Sequence, residues 1–364
     1  MIRAETLALS RKPDGVMTTS ITDRDQWLKM READVTASIA AILLGADHYQ
    51  TYWGLWMVKA GKLAADAVAS EPEISADGDE ITMPPAGRGH AREAETVAML
   101  QLLRPDWRLS YPLGVYWRDP GKRIGATPDC LAIDPAREGF GVVQCKTVDP
   151  IKYREQWIDP DTQEVIPPLW ICLQAIVEAK LTGASWAAVA VHRENWGSRP
   201  SVRLIDVPLH QGVWARLVEE VAAFWRSIDA DEAPSPDFRR DATGIMRLYA
   251  DAEDRTSMLD GEKASRALEI IAAREALKVR EADGGAAEKE RKILDAELIW
   301  IMGNAESARL PDGRVIRAPT SKRTGLDADA IRKEMGADWA AKRSKISTWR
   351  TVAVKLPKEE RTAA

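Results

Sequence analysis

Two short stretches hold residue types suited to work on phosphate esters: Thr127-Pro128-Asp129 and, further along, Gln144-Cys145-Lys146. Both fall in β-prone segments, residues 126–133 and 139–148, separated by the turn-forming run Asp134-Pro135-Ala136-Arg137-Glu138-Gly139. If the segments pair as a hairpin with the turn centred between Ala136 and Arg137, Asp129 lies opposite Gln144 and Thr127 opposite Lys146. Side chains alternate along a strand, so those four project from one face while Pro128 and Cys145 point the other way. Leu131, Ile133, Val142 and Val143 are ordinary strand residues, so the polar face is not simply a solvated one. A hard divalent cation takes carboxylate, carbonyl and water ligands, and Asp129, the Gln144 amide oxygen and the Cys145 backbone carbonyl offer such a set. Lys146 beside them would hold the attacking water and offset phosphate charge, the combination that phosphodiester hydrolysis needs.

The hairpin requires a framework of strands and helices. Helical spacing runs over residues 25–44, with a break at 34–36 where Thr36 or Ser38 would cap a new helix, then over 52–62 and 88–103. Strand-like segments follow at 108–117, 126–133 and 139–148, then a helix at 169–181, strands at 186–192 and 202–207, and a helix at 211–228. Strands interleaved with helices give an α/β core. Residues before about Thr22 show little periodicity and read as flexible, 69–85 as a loop and 233–237 as a linker. Beyond it, Leu268 and Ile271, then Leu294, Leu298 and Ile301, mark two charged helices divided at Gly284-Gly285. Short β-prone pieces at 314–317 and 351–354 come last.

At 364 residues and roughly 150 per domain, the chain holds about two domains. With 45% hydrophobic and 29% charged residues and no long apolar run, it reads as a soluble globular protein without a membrane partner, and its beginning lacks the order of a secretory signal. Cys130, Cys145 and Cys172 form no C-x-x-C pair, and His48, His90, His192 and His210 have no zinc spacing. A reducing cytoplasm is expected, that of a bacterial host if the chain is phage-encoded, and any metal would take oxygen ligands. The net charge is −5, yet residues 311–364 carry 13 Lys/Arg against 7 Asp/Glu, a basic tail on an acidic body.

The order Gly89-x-x-x-Glu93 on a helix, Thr127-Pro128-Asp129, Gln144-x-Lys146 and Gln174 on a later helix resembles the PD-(D/E)XK nuclease superfamily, specifically its lambda exonuclease and YqaJ-type viral recombinase family. The similarity runs in order from Trp27 to about Ile228. Trp27-Leu28-Lys29-Met30-Arg31 followed by Val35-Thr36-Ala37-Ser38 resembles the family's phosphate-binding element, and Leu173-Gln174 followed by Gly183-Ala184-Ser185-Trp186 its glutamine helix and next strand. Residues 303–354, with Pro311-Asp312-Gly313-Arg314 and Gly325-Leu326-Asp327, are similar to the C-terminal extensions of YqaJ-type members.

The resemblance implies a restriction-endonuclease-like α/β core, a mixed central sheet flanked by helices, over residues 22–232 after a flexible 1–21. A helical-hairpin module over 233–303 and a basic extension over 304–364 complete a small α+β C-terminal part. It implies that Glu93 and Asp129 ligate Mg2+ (Mn2+ as substitute), that Gln144 takes the second acidic ligand position with the Cys145 carbonyl, and that Lys146 serves the nucleophilic water. Gln174 would orient the site, while Arg31, Ser38 and Thr127 would grip a 5′ phosphate. The implied activity is ATP-independent 5′→3′ exonuclease action on double-stranded DNA ends, leaving 3′ single strands for an annealing protein of the RecT or Bet type in phage or prophage recombination. The chain would act as a homo-oligomer, three copies by the resemblance. No Walker-type Gly-x-x-x-x-Gly-Lys-Ser/Thr loop is present to drive a helicase.

The family's usual Glu-x-Lys is here Gln144-x-Lys146, which keeps an oxygen ligand and removes a negative charge. A similar Gln-x-Lys occurs in TnsA-like endonucleases, so a structure-specific or sequence-nonspecific endonuclease is one alternative. A catalytically silent DNA-binding scaffold working through the basic C-terminus is another. Taken singly, Glu93 also suits a helix dipole, Ser38 a helix cap, Arg31 a surface ion pair and Gln174 a core hydrogen bond. Trp170, Trp186, Trp214 and Trp225 read as core aromatics, and Glu155, Asp159 and Asp161 as a solvated loop.

Overall fold

A computed structural model describes residues 11–46, 49–65, 85–111, 113–193, 201–280, 285–326 and 344–355. The chain divides into two compact units, one drawn from residues 1–60 and 70–234, the other from 61–69 and 235–364. In chain order the first unit runs β1 (Met17–Ser20), α1 (Arg24–Glu32), β2 (Val35–Thr36), α2 (Ala40–Leu43), α3 (Tyr52–Lys59), α4 (Pro85–Leu103), β3 (Arg108–Ser110), β4 (Val115–Asp119), β5 (Ile124–Ala126), β6 (Cys130–Ile133) and β7 (Gly141–Val148). It continues with α5 (Pro150–Gln156), α6 (Leu169–Thr182), β8 (Trp186–Arg193), β9 (Ser201–Val207) and α7 (Gln211–Asp229).

The central sheet has the order β3-β6-β7-β8-β9. The β6–β7 pair is antiparallel with Cys130 opposite Val143 and Leu131 opposite Val142, the register that centring the turn between Ala136 and Arg137 dictates. Next to it, β7 and β8 run parallel, with Gln144 beside Val189 and Lys146 beside Val191. Parallel strands covered on both faces read as continuous apolar runs, and β8 is one: Ala187 to Val191 are all buried. On one face, Val97 and Leu100 of α4 pack with Trp107, Cys130, Ala132, Val143, Cys145 and Ala190. α6 packs against β7 and β8 and is buried nearly all round, as an apolar helix with little amphipathic bias must be. The mixed α/β core expected from the sequence is therefore present, a helix-flanked sheet with the hairpin at its centre.

Local signals explain the boundaries. Asp149 accepts from Ile151 N and Lys152 N with Pro150 in the first turn, so a helix, α5, starts directly after the Lys146 strand. The polar loop expected there begins later, and Glu155 belongs to the helix. The strand expected over 108–117 splits because Gly114 takes φ +56°, which turns the chain into a second, four-stranded sheet of order β1-β4-β5-β2. β1, inside the stretch expected to be flexible, pairs antiparallel with β4. Gly141 starts β7 because the Trp186 ring lies over it, where a Cβ would meet ring atoms at 2.2 Å. The loop expected over 69–85 lies outside the described residues apart from Pro85, as do His48, Gly284 and Asp327.

The second unit holds α8 (Phe238–Leu248), β10 (Glu253–Met258), α9 (Gly261–Arg280), α10 (Gly285–Met302), β11 (Ala305–Arg309), β12 (Val315–Arg317), β13 (Thr320–Leu326), β14 (Ser344–Arg350) and β15 (Ala353–Lys355). The expected charged helices are α9 and α10, joined by a bidentate Arg266–Glu297 pair at 2.5 and 3.0 Å. Sheet β10-β11-β12-β15 and the β13–β14 hairpin complete it. Arg350 is buried and donates to the backbone carbonyls of Ala318, Gly303 and Ala305 at 2.6–2.9 Å and Tyr249 at 3.3 Å. Among the described residues no helix is long and apolar enough to cross a membrane.

Candidate active site

Asp129 stands just before β6, after Pro128, with its carboxylate at the strand end. Its Oδ2 accepts from Cys145 N at 2.8 Å and from Gln144 Nε2. The backbone amide donor fixes the carboxylate against β7, and the amide side chain of Gln144, 1% exposed, lies beside it. Gln144 Nε2 also reaches the Cys145 carbonyl at 3.4 Å, while Gln144 Oε1 is buried without a hydrogen-bond partner.

Two residues along the same face, Lys146 donates from Nζ to Gln174 Oε1 at 2.9 Å, and its ammonium stands 5.4 Å from the centre of the Trp170 ring. Gln174 Nε2 donates in turn to Glu178 Oε1 at 3.0 Å. Trp170, Gln174 and Glu178 are spaced four apart on α6, a stripe along one face of the helix. Glu178 is fully buried, and burial followed by the negative charge of Asp129 pushes its carboxyl well above the usual carboxylate range.

Glu93 is half-buried on α4, the helix on the opposite face of the sheet from α6. Its charge adds to that of Asp129 in raising the Tyr111 hydroxyl and the Cys145 thiol, both displaced first of all by burial. The thiols are correspondingly inert: burial pushes Cys130 up to about 12, and Cys145 and Cys172 also rise.

Among the described residues no three His, Cys, Asp and Glu side chains group closely enough to hold a metal by themselves. The donor chemistry nevertheless suits a hard divalent cation if oxygens other than carboxylates contribute. Asp129 Oδ2 and the Cys145 carbonyl meet at the NH2 end of the Gln144 amide, whose Oε1 is buried without a hydrogen-bond partner; turning the amide over would bring that oxygen to the two others and make the three donors a hard cation takes.

A second polar cluster forms around the end of α1. Arg31 Nη2 donates to Ser38 Oγ at 3.2 Å and to Thr36 Oγ1 at 3.5 Å, and the two hydroxyls are 3.1 Å apart. Neither hydroxyl caps the following helix: the N-cap of α2 is Ile39, which makes no side-chain bond. The Arg31 guanidinium lies 4.5 Å over the Trp27 ring, and Trp27 Nε1 donates to Thr127 Oγ1 at 3.2 Å. Thr127 is two residues from Asp129, so Ala126 to Asp129 link this cluster to the hairpin site. The strand expected over 126–133 breaks at Thr127-Pro128-Asp129, between β5 and β6, so Thr127 is not paired with Lys146 on the hairpin; the two bond to different partners, Trp27 and Gln174.

Residues not singled out in the sequence hold these groups. Lys59 Nζ donates to the carbonyls of Arg31 and Asp34, each at 2.7 Å, and Glu32 at 3.2 Å, closing the C-terminal end of α1. Asp34, wholly buried, accepts from Tyr116 Oη at 2.9 Å and Arg118 Nη2 at 2.8 Å. Glu178 is another, and Trp170, expected from the sequence only as a core aromatic, stands beside Lys146. A glutamate amid the apolar run Ala175-Ile176-Val177-Glu178-Ala179, one turn after Gln174, was a readable signal; Lys59 and Asp34 carried none, because their partners are backbone carbonyls or distant in sequence.

Residues 26–185 match the family model described as the YqaJ-like viral recombinase domain. No curated protein matches the chain. Among solved structures it is similar to an alkaline exonuclease (LHK-Exo) from Laribacter hongkongensis, at 16% identity and TM-score 0.39 over 57% of this chain and 94% of that one. The same exonuclease in complex with dAMP gives 17% identity and TM-score 0.38 over the same shares. SSO0001 gives 13% and 0.30, over 60% of this chain and 91% of that one.

Proposed function

From the premise that residues 26–185 of this chain form a YqaJ-like viral recombinase domain, we propose that the protein is a Mg2+-dependent, ATP-independent deoxyribonuclease that degrades double-stranded DNA from its 5′ ends. The observation that carries this is the meeting of Asp129, Gln144 and the Lys146–Gln174 pair at one end of the central hairpin. Under the same reading residues 22–232 are the nuclease core, 233–303 a helical module and 304–364 a basic extension.

Asp129, with the Gln144 oxygen, the Cys145 carbonyl and Glu93, would hold the ion, and Mn2+ would serve in its place. The bound ion supplies Lewis acidity toward water and the phosphate oxygens. Lys146, kept in place by Gln174 and the Trp170 ring, holds the attacking water and faces the negative charge that gathers on the phosphate. Arg31 with Ser38 offers a guanidinium and a hydroxyl to a terminal 5′ phosphate, a match in charge and donor type, with the buried Thr36 hydroxyl behind them. Thr127 joins them from the link to Asp129. An anchored 5′ end next to a hydrolytic site makes removal proceed in one direction.

The partners that accompany this reading are duplex DNA ends, a single-strand annealing protein of the RecT or Bet type that receives the 3′ strands, and further copies of the chain, three by the resemblance. Digestion of linear duplex beside covalently closed circular DNA, with and without Mg2+, tests it. Wild type should consume only the linear DNA and only with the ion, and Asp129→Ala and Lys146→Ala should be inactive. Nicking of the circle would replace the exonuclease with an endonuclease, and equal DNA binding by all three proteins with no cleavage would leave a scaffold.

A further inference from the structure

We propose that Glu178 is a positioning residue: by accepting from Gln174 Nε2 it fixes which end of the Gln174 amide faces Lys146, and thereby holds the Lys146 ammonium at the hairpin site. The inference rests on the reading of Lys146 as the water-holding group. An amide can present either its oxygen or its NH2 group, and only its surroundings decide. Here both ends are committed. Oε1 faces an ammonium at 2.9 Å and Nε2 faces a carboxyl oxygen at 3.0 Å. Reversing the amide would set NH2 against the ammonium, two donors facing one another, and take from Glu178 Oε1 the N–H it now accepts. Without Glu178, Gln174 Nε2 loses the acceptor that enforces the orientation.

The cost to the fold points the same way. Glu178 is wholly buried on a helix whose other buried residues are mostly apolar, and its Oε2 has no hydrogen-bond partner. A buried carboxyl half satisfied is worse for stability than a well-packed aliphatic side chain of similar size. Packing alone would favour leucine. What glutamate offers in its place is one oriented hydrogen bond, directed along the stripe of α6 that also carries Trp170 and Gln174 and ends at Lys146.

The test compares wild type with Glu178→Leu and Glu178→Gln in the full chain, by three readouts. These are the Lys146 side-chain 15Nζ resonance in lysine-labelled protein, assigned with Lys146→Arg, the thermal midpoint, and the Mg2+-dependent rate on linear duplex at saturating DNA. Glu178→Leu should shift the Lys146 resonance, leave the thermal midpoint equal or higher, and lower the rate about 10–100-fold, the usual cost of losing an outer-shell partner. Glu178→Gln, which keeps an oxygen for Gln174 Nε2, should recover most of both the resonance position and the rate. An unmoved Lys146 resonance in Glu178→Leu overturns the proposal, whether the rate stays within about twofold of wild type or falls together with the thermal midpoint. If wild type does not cleave DNA, a shifted resonance still supports the positioning role while the nuclease reading falls.

Discussion

Replacing Gln144 by glutamate should make the nuclease unit dependent on its cation for stability without costing cleavage. In the present arrangement the Gln144 amide donates to Asp129 Oδ2, so the substitution removes a donor and sets a second carboxylate against the first in a site that is 1% exposed at this residue. Two unit charges about 4 Å apart at an effective dielectric constant of about 20 repel by about 4 kcal/mol. The lost hydrogen bond to a charged acceptor is worth about 1.5–3 kcal/mol more, so about 4 kcal/mol survives even if protonation relieves part of the repulsion. For a unit of this size, at roughly 2–4 °C per kcal/mol, the metal-free variant should melt about 8–16 °C below wild type. A divalent cation reverses the sign of the interaction. Mg2+ at about a hundred times its dissociation constant adds about 2.7 kcal/mol, so added ion should recover most of the deficit. Thermal melts in EDTA and in MgCl2, run beside digestion of linear duplex across a Mg2+ titration, give the readout. The variant should melt low without ion and recover with it, cleave at least as fast as wild type, and reach half its rate at lower Mg2+. A Gln144→Glu protein that melts like wild type in EDTA, ignores Mg2+ and fails to cleave beside an active wild type would refute Asp129 and Gln144 as joint ligands.

Lys146→Met should reduce cleavage by about 10²–10⁴-fold, the range for loss of a positioned proton-handling group, while leaving duplex binding in a gel-shift assay near that of wild type. Arg31→Ala should remove the preference for 5′-phosphorylated over 5′-hydroxyl duplex by about 10–100-fold, from loss of a charge-assisted contact of about 1.5–3 kcal/mol, with little effect on a substrate that lacks the phosphate. Burial, reinforced by the neighbouring Arg31 charge, lowers Lys59 from 10.5 to about 8. Across the window between those values the unfolded chain binds more protons than the folded one, so this group makes the folded state gain stability as pH rises from about 8 to about 10.5. Urea melts through that window should show the gain in wild type and its loss in Lys59→Met.

The hairpin and its register were legible because they follow from local rules. A turn-forming run fixes which residues pair, and strand alternation fixes which share a face, so Asp129 beside Gln144 could be read from spacing alone. Arg31 meeting Ser38 rested on their order in the chain, and the two bond directly. What escaped depends on pairings between distant segments or on backbone groups. Lys59 uses carbonyls, and Asp34 finds Tyr116 and Arg118 far along the chain. Trp170 is a core aromatic by composition and becomes part of the site only because α6 lies across β7 and brings its ring to Lys146. β1 was missed because so short a strand has too few residues for alternation to show, and pairing with β4 makes it regular.

Arg350 gives the chain's last described stretch a meaning that its charge conceals. Counted in the sequence it is one more basic residue of a tail suited to phosphate. In place it has turned inward, and its donors close off the ends of segments as far back in the chain as Tyr249. A protein ending before Arg350 would strand those four carbonyls inside the second unit, at about 1–3 kcal/mol for each one left dry. That region is thus sealed by the end of β14, and trimming it in search of a dispensable DNA-binding arm would unfold what it was meant to dissect.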